Sequence, residues 1–287
     1  MLFIEKRAYP FEYQDTNEVI NYSFSIEEET IINEKSIKNR YVQEFEVELL
    51  SKEYMKGFDF KVNIKNCDYR LDVSLKSQEN LIRQLNSLTE EMLFKVDMQG
   101  VIIEVVNYND ILEKWKRLKT KLISKNKGVL AQGYIDAVGA KIENKNLFIS
   151  DLCQYRMFGF LFNGMLDISF YDDVKIRRNR VHKNTIHSIP IYVEEQVQLM
   201  NENIAEETIT YCLTADLTPL EVKTKERLGL FFNYYGMPSS HVYLEQYLGD
   251  YVLNKHTAIV QKATLNIALS NAKGYKRTIK YKLHRNN

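Results

Sequence analysis

The stretch Ile20-Asn-Tyr-Ser-Phe-Ser-Ile26 decides the fold class, because every second residue in it is aliphatic or aromatic. The same alternation returns at 44–49, 58–64 and 69–75. A period of two puts apolar side chains on one face of a strand and polar ones on the other. One buried and one wet face are typical of antiparallel sheets, and the short connections favour hairpins.

A second series of strands is predicted from residue 189 onward. Residues 241–283 read as a meander of short strands, with turns predicted at Gly249-Asp250, 255–257 and 271–274. The apolar and aromatic run Leu228–Tyr235 is counted among these strands. We predict that residues 20–75 and 241–283 belong to one antiparallel sheet.

Between the two series the apolar period becomes helical. Trp115 shares one face with Ile111, Leu118 and Leu122, so we expect it to be buried. Shorter helices are predicted near 129–142 and 146–160. The predicted architecture is α+β: one domain, residues 1–287, with a large curved antiparallel β-sheet (half-barrel-like) and a mostly helical insertion at about 107–160.

Composition excludes several protein classes. The 287 residues are 45% hydrophobic and 27% charged, which is ordinary for a globular protein. No apolar run approaches the ~18 residues of a membrane span. Cys67, Cys153 and Cys212 are odd in number and far apart, which argues against a disulfide framework or a zinc site. The first ten residues lack a secretion signal, so a cytoplasmic protein is expected.

No set of residues points to catalysis or to a cofactor. Phosphate-binding glycine motifs and a nucleophile elbow are absent, and glycine totals only 11. In Ser239-Ser240-His241, neighbouring strand residues point to opposite faces. His182 and His187 follow Asp172 and Asp173. Arginines surround these histidines and would repel a metal cation, so we predict no metal site and no enzyme.

Basic clusters are the sharper signal. Residues 1–100 carry 13 basic and 19 acidic side chains, whereas residues 101–287 carry 26 and 19. The candidate partner-binding residues are Lys114, Arg117, Lys121, Arg177, Arg178 and Arg180. They could meet an acidic protein, nucleic acid or a membrane surface, or they could be solvated or paired with the acidic strands Glu27–Glu29 and Glu44–Glu48. Stacking aromatics are not interleaved with them, which disfavours single-stranded nucleic acid.

Aromatic residues make up 12% of the chain, and most are expected in the core. Six of them are candidates for an apolar pocket or interface instead: Phe160, Phe162, Phe231, Phe232, Tyr234 and Tyr235.

Two stretches carry a family resemblance, Phe94–Asn107 and Leu248–Ile267. They resemble a strand–turn–strand–helix unit and a late hairpin of uncharacterised Bacteroidetes proteins. Those proteins are similar in layout to the half-barrel lipoprotein-carrier superfamily, in which a curved sheet partly wraps helices and an apolar ligand. The resemblance implies such a layout and supplies no catalytic residue.

The sequence therefore predicts a non-enzymatic binding protein that acts through protein–protein contacts, as an assembly subunit, adaptor or immunity-type partner. A carrier of an apolar ligand in a half-barrel cavity is the first alternative, and a divergent enzyme is the second. An exposed basic helix over a filled sheet favours the first function. An open apolar cavity favours the carrier, and clustered titratable groups in a cleft favour the enzyme.

Overall fold

The structure is a computed structural model that describes residues 18–286 except 54–55, 126–127, 155, 167–174, 238 and 240. Its strands are β1 (Ile20–Ile32), β2 (Lys35–Glu53), β3 (Gly57–Arg70), β4 (Glu91–Val96), β5 (Ile102–Val105), β6 (Ile176–Ile186), β7 (Ile189–Asn203), β8 (Thr208–Leu217), β9 (Tyr243–Asn254), β10 (Val260–Ser270) and β11 (Tyr275–Arg285). Its helices are α1 (Glu79–Asn86), α2 (Tyr108–Lys125), α3 (Val129–Ile142), α4 (Lys145–Leu152), α5 (Met157–Leu161) and α6 (Val222–Tyr234).

The strands form one large, open, curved antiparallel sheet, as predicted. Their order is β5-β4-β3-β2-β1-β11-β10-β9-β8-β7-β6, so two meanders meet where β1 pairs with β11. In that pairing Tyr22 lies opposite Arg285, and Ile32 lies opposite Tyr275. The prediction that 20–75 and 241–283 share a sheet is confirmed.

The inner face of the sheet, which carries Phe24 and Phe45, is packed with aromatic side chains. Phe160 of α5 lies over the joint between the two meanders. Its ring centroid is 5.7 Å from that of Phe24, 5.5 Å from that of Tyr251 and 5.4 Å from that of Tyr281. Phe160 is fully buried, so this part of the inner face is filled by the protein's own side chains.

Trp115 on α2 is fully buried, as expected. Its indole Nε1 donates a 2.9 Å hydrogen bond to Glu143 Oε1, just beyond α3. Gly139 of α3 lies against the indole, since a Cβ there would be 3.1 Å from the ring. A small residue at 139 therefore lets the two helices approach closely around the tryptophan.

A short bridging segment, residues 163–166, contacts both edges of the sheet. On one side Gly164 N donates to Gly100 O at 3.3 Å and Leu166 N donates to Gln99 O at 3.0 Å, in the turn between β4 and β5. On the other side β6 supplies two arginines that donate to Asn163 O. The two edge strands are thus linked through four residues rather than through a strand pairing.

One strand prediction at the sheet margin is wrong. The predicted strand 69–75 does not exist, because β3 runs on to Arg70 and Val73–Gln78 forms a 3-10 helix. Asp72 causes the change, since its carboxylate accepts from Ser74 N at 3.0 Å and caps that helix. The basic residues Arg177, Arg178 and Arg180, for which no element was predicted, lie on the edge strand β6.

Two predictions in the second meander are also corrected. Gly249 lies inside β9 rather than at a turn; a Cβ there would be 2.6 Å from Thr264 O, so the glycine permits close contact with β10. The run Leu228–Tyr235 lies largely in α6, where Leu228 and Phe232 are fully buried at a spacing of four residues.

Candidate functional site

The α2 basic stripe consists of Lys114, Arg117 and Lys121, which are spaced by three and four residues and therefore share one helix face. All three are exposed. None of them forms an ion pair with any other described residue. Their helix neighbours differ: Lys116 pairs with Glu113 at 2.6 Å, and Lys119 pairs with Glu143 at 2.9 Å.

The acidic strands do not neutralise this stripe. Glu27, Glu29 and Glu46 lie on the outer face of the sheet, opposite the face that buries Phe24 and Phe45. Cations of the sheet itself pair with them: Arg40 with Glu27 at 3.6 Å, Lys38 with Glu29 at 3.2 Å and Lys65 with Glu46 at 2.7 Å. The α2 basic stripe is therefore a separate positive surface.

Arg178 and Arg180 have a different environment from the stripe. Their side chains are 17% and 23% exposed, and both contact Glu195 of β7, which is fully buried. Arg178 Nε lies 2.5 Å from Glu195 Oε1, and Arg180 Nε lies 3.5 Å from it. The same guanidinium groups donate to Asn163 O at 2.9 and 2.6 Å. These two arginines therefore form intramolecular contacts between β6, β7 and residue 163. Arg177, in contrast, is exposed and pairs with Glu194 at 3.2 Å.

A tyrosine and a histidine complete this buried ionic cluster. Tyr247 Oη donates to Glu195 Oε2 at 2.6 Å, and His182 Nε2 lies 3.2 Å from Tyr247 Oη. Because that hydroxyl proton is used on Glu195, the contact requires His182 Nε2 to carry the hydrogen. Burial lowers the pKa of His182 to about 4, with Glu195 opposing the shift. The imidazole is therefore neutral at pH 7.

The six candidate aromatic residues fall into two environments. Phe160, Phe162 and Phe232 are buried in the core. Phe231 and Tyr235 are half-buried and Tyr234 is 82% exposed, and these three line a surface groove of about 550 Å³. We call it the α6 groove; its other lining residues are His187, Ser188, Ile189, Arg227 and Leu230.

The β6–β7 hairpin forms one wall of the α6 groove. Its two turn residues are His187 and Ser188, and His187 has a positive φ of 55°, a conformation in which histidine is enriched. The imidazole stacks on Phe231 with ring centroids 5.9 Å apart. Arg227 Nη2 donates to Ser188 O at 3.0 Å and to Ser188 Oγ at 3.3 Å. Both contacts fix the hairpin tip against α6.

A second, smaller cavity of about 270 Å³ lies beside β3 and α1. Asn86 Nδ2 donates to the hydroxyl groups of Tyr41, at 2.9 Å, and Tyr69. Burial raises the pKa of both phenols, which keeps them protonated at neutral pH. Burial also raises the pKa of the Cys153 and Cys212 thiols, so neither is an activated nucleophile.

Two further features bear on the predicted chemistry. Across the part of the chain that the structure describes, no group of three metal-ligating side chains is close enough to hold an ion. His182 is in the ionic cluster and His187 is in the groove, while Asp172 and Asp173 lie outside the described residues. No described helix has both the length and the apolar character needed to cross a membrane.

Glu195 is not among the predicted site residues, although the sequence carries a signal for it. Ile191, Val193 and Val197 are buried at every second position of β7, and Glu195 occupies the one polar position in that series. A carboxylate at a core position requires a buried cationic or hydrogen-bonding partner. Arginines in the adjacent basic segment were the available partners.

Comparisons with known proteins give no family. No protein-family model matches the chain, and no curated protein matches it. Among solved structures it is similar to DynF from the dynemicin biosynthesis pathway of Micromonospora chersina, with 5% identity, a TM-score of 0.21, and coverage of 99% of this chain and 87% of that one. A DUF1329 family protein from Desulfovibrio piger ATCC 29098 matches with 6% identity, a TM-score of 0.16, and coverage of 94% and 87%. Such low TM-scores carry no argument about function, and the resemblance to half-barrel carriers stays a prediction.

Proposed function

We propose that this chain is a non-enzymatic binding protein whose partner is another protein with an acidic surface. The α2 basic stripe is the observation that carries the proposal, because its three cations are exposed and unpaired among the described residues. Other surface cations, such as Lys61, which meets Glu91 at 2.9 Å, have a carboxylate partner within 4 Å. An unpaired stripe on a rigid helix is suited to steering and orienting an oppositely charged partner.

The packing of α2 supports the same reading. Trp115 and Leu122 anchor the helix in the core, so the stripe is held in a fixed position. Phe160 and its neighbours fill the centre of the inner face of the sheet, so this part of the face does not form an open cavity for a ligand. Cys67, Cys153 and Cys212 are all free, which supports a reducing compartment such as the cytoplasm as part of the proposal.

Charge reversal tests the proposal. In the variant Lys114→Glu/Arg117→Glu/Lys121→Glu, the melting temperature should stay nearly unchanged, since no described carboxylate loses a partner. Association with the partner, isolated from the native host by affinity capture with this protein, should slow and lose its salt dependence. The matched control is Lys262→Glu/Lys273→Glu/Lys282→Glu, which changes the charge equally at exposed positions elsewhere.

Two outcomes would overturn this function. If the α2 variant unfolds while the control does not, the stripe is structural. If both variants bind every captured partner as the parent does, the stripe is only a solvated face.

Carriage of an apolar ligand is the second candidate function, and the α6 groove is the feature that favours it. The groove is open, has a volume of about 550 Å³ and exposes apolar side chains. That volume is within the range of roughly 300–1,000 Å³ found for small-molecule sites.

A further inference from the structure

The α6 groove exposes apolar side chains that nothing else in the described chain covers. Leu230 is 73% exposed and Tyr234 is 82% exposed, and they are four residues apart on α6. The half-buried rings of Phe231 and Tyr235 line the same groove. Exposed apolar side chains that share one concave surface mark a binding site more often than scattered ones do.

The charge of the lining is one-sided. Arg227 is a permanent cation in it, and the lining contains no carboxylate. Only Nη2 of Arg227 is bound, to Ser188, so Nε and Nη1 have no partner among the described residues. Each of these two donors can form one hydrogen bond with an acceptor in the groove, and the guanidinium group carries a full positive charge there.

Ser188 fixes where the guanidinium group of Arg227 lies. Its backbone and side-chain oxygens hold one arm of the guanidinium at the hairpin tip, and His187 stacked on Phe231 holds the hairpin against the helix. The cation is therefore positioned at the groove before any ligand arrives, which lowers the entropic cost of binding.

From these features we propose that the α6 groove binds a small hydrophobic carboxylate. The acid group forms an ion pair with Arg227, and the aliphatic or aromatic body lies on Leu230, Phe231 and Tyr234. This inference is independent of the protein–protein function and rests on the second candidate function, since it specifies the chemical class of ligand for the α6 groove.

Calorimetric titration with decanoate, below its micelle concentration, tests the proposal against 1-decanol, which has the same chain and no charge. Decanoate should bind at one site with about tenfold or greater preference over decanol, the range expected for a charge-assisted pair. Arg227→Gln should remove the preference and leave decanol binding unchanged. Lys225→Gln, an exposed cation of the same helix outside the lining, is the control.

A second pair of variants keeps the test valid if Arg227→Gln disturbs the hairpin. Leu230→Ser/Tyr234→Ser changes only exposed side chains, so it should fold normally and bind neither probe. Val222→Ser, 72% exposed on the same helix but outside the lining, should bind as the parent does. The charge-reversed α2 variant should also bind decanoate normally, so this proposal and the protein–protein function can fail independently.

Three results would overturn the proposal. Decanoate that does not bind, or that binds the Leu230→Ser/Tyr234→Ser variant equally well, removes the site. Equal affinity for decanoate and decanol removes the role of Arg227. A dimer seen by sedimentation velocity and abolished by Leu230→Ser/Tyr234→Ser would assign the groove to a second copy of the chain.

Discussion

Replacing Glu195 by glutamine should destabilise the protein far more than replacing its neighbour Glu194. The side chain of Glu195 is fully buried and faces Arg178, Arg180 and the hydroxyl of Tyr247. Glutamine has the same size but no charge, and its amide nitrogen must face at least one of these donors. Both arginines are less than a quarter exposed, so solvent compensates them poorly. Removing one partner of a buried ion pair costs about 3–5 kcal/mol.

Glu194→Gln is the matched control, because residue 194 faces the opposite side of β7. Its pair with Arg177 has side chains that are 66% and 39% exposed, and exposed pairs contribute about 0–1 kcal/mol. Urea unfolding at pH 7 measures both free energies of unfolding. If the two variants differ by less than about 1 kcal/mol, the carboxylate of Glu195 does not compensate the arginines, and our account of the cluster is refuted.

Three further predictions concern the core. Trp115→Ala should lower the free energy of unfolding by about 3–5 kcal/mol in urea titrations, and a normally stable variant would contradict its core position. His182 has a folded pKa of about 4 against about 6.5 unfolded, so the unfolded chain takes up the proton first. The contribution of His182 to the free energy of unfolding should be complete above pH 6.5 and should fall by about 3 kcal/mol as the pH drops to 4. His182→Gln should flatten the dependence of the free energy of unfolding on pH in this range. An unchanged pH dependence would contradict the assignment. Gly249→Ala should lower the free energy of unfolding by about 1–3 kcal/mol in thermal unfolding, because its Cβ would collide with Thr264 O. An unchanged free energy of unfolding would mean that β9 and β10 can move apart at this point without cost.

The sheet was predictable wherever its strands have one wet face. In β1 and β2 the outer positions are charged or polar and the inner ones are aromatic, so the period of two is visible in the sequence. Pairing between β1 and β11 could not be read from the period, since it joins residues more than 240 positions apart.

β6 was not predictable from the same rule. Arg178 and Arg180 point inward and Arg177 and Asn179 point outward, so polar residues occupy both faces and the apolar period is lost. The inward arginines are compensated by Glu195 on the adjacent strand. This contact depends on the tertiary structure and cannot be deduced from the pattern of β6 alone. The exposure of the α2 basic stripe was predicted from the sequence, and Phe231, Tyr234 and Tyr235 of the α6 groove were among the predicted apolar candidates. The pairing of Glu195 with Arg178 and Arg180, and the part that the β6–β7 hairpin plays in the groove, depend on the three-dimensional packing.

The position of β11 between the meanders has a consequence for synthesis. β1 is made early, but the strand that covers its free edge is about 240 residues further along the chain. At about 5–20 residues per second, the ribosome needs roughly 10–50 s to reach it, and the N-terminal meander meanwhile presents an open strand edge. Glu27–Glu29 lie on that edge. Glu27 and Glu29 already pair with cations of β2, whereas Glu28 meets Arg277 only when β11 arrives. Until then Glu28 is an unpaired charge on an open strand edge, and such a charge disfavours pairing with the edge of a neighbouring chain.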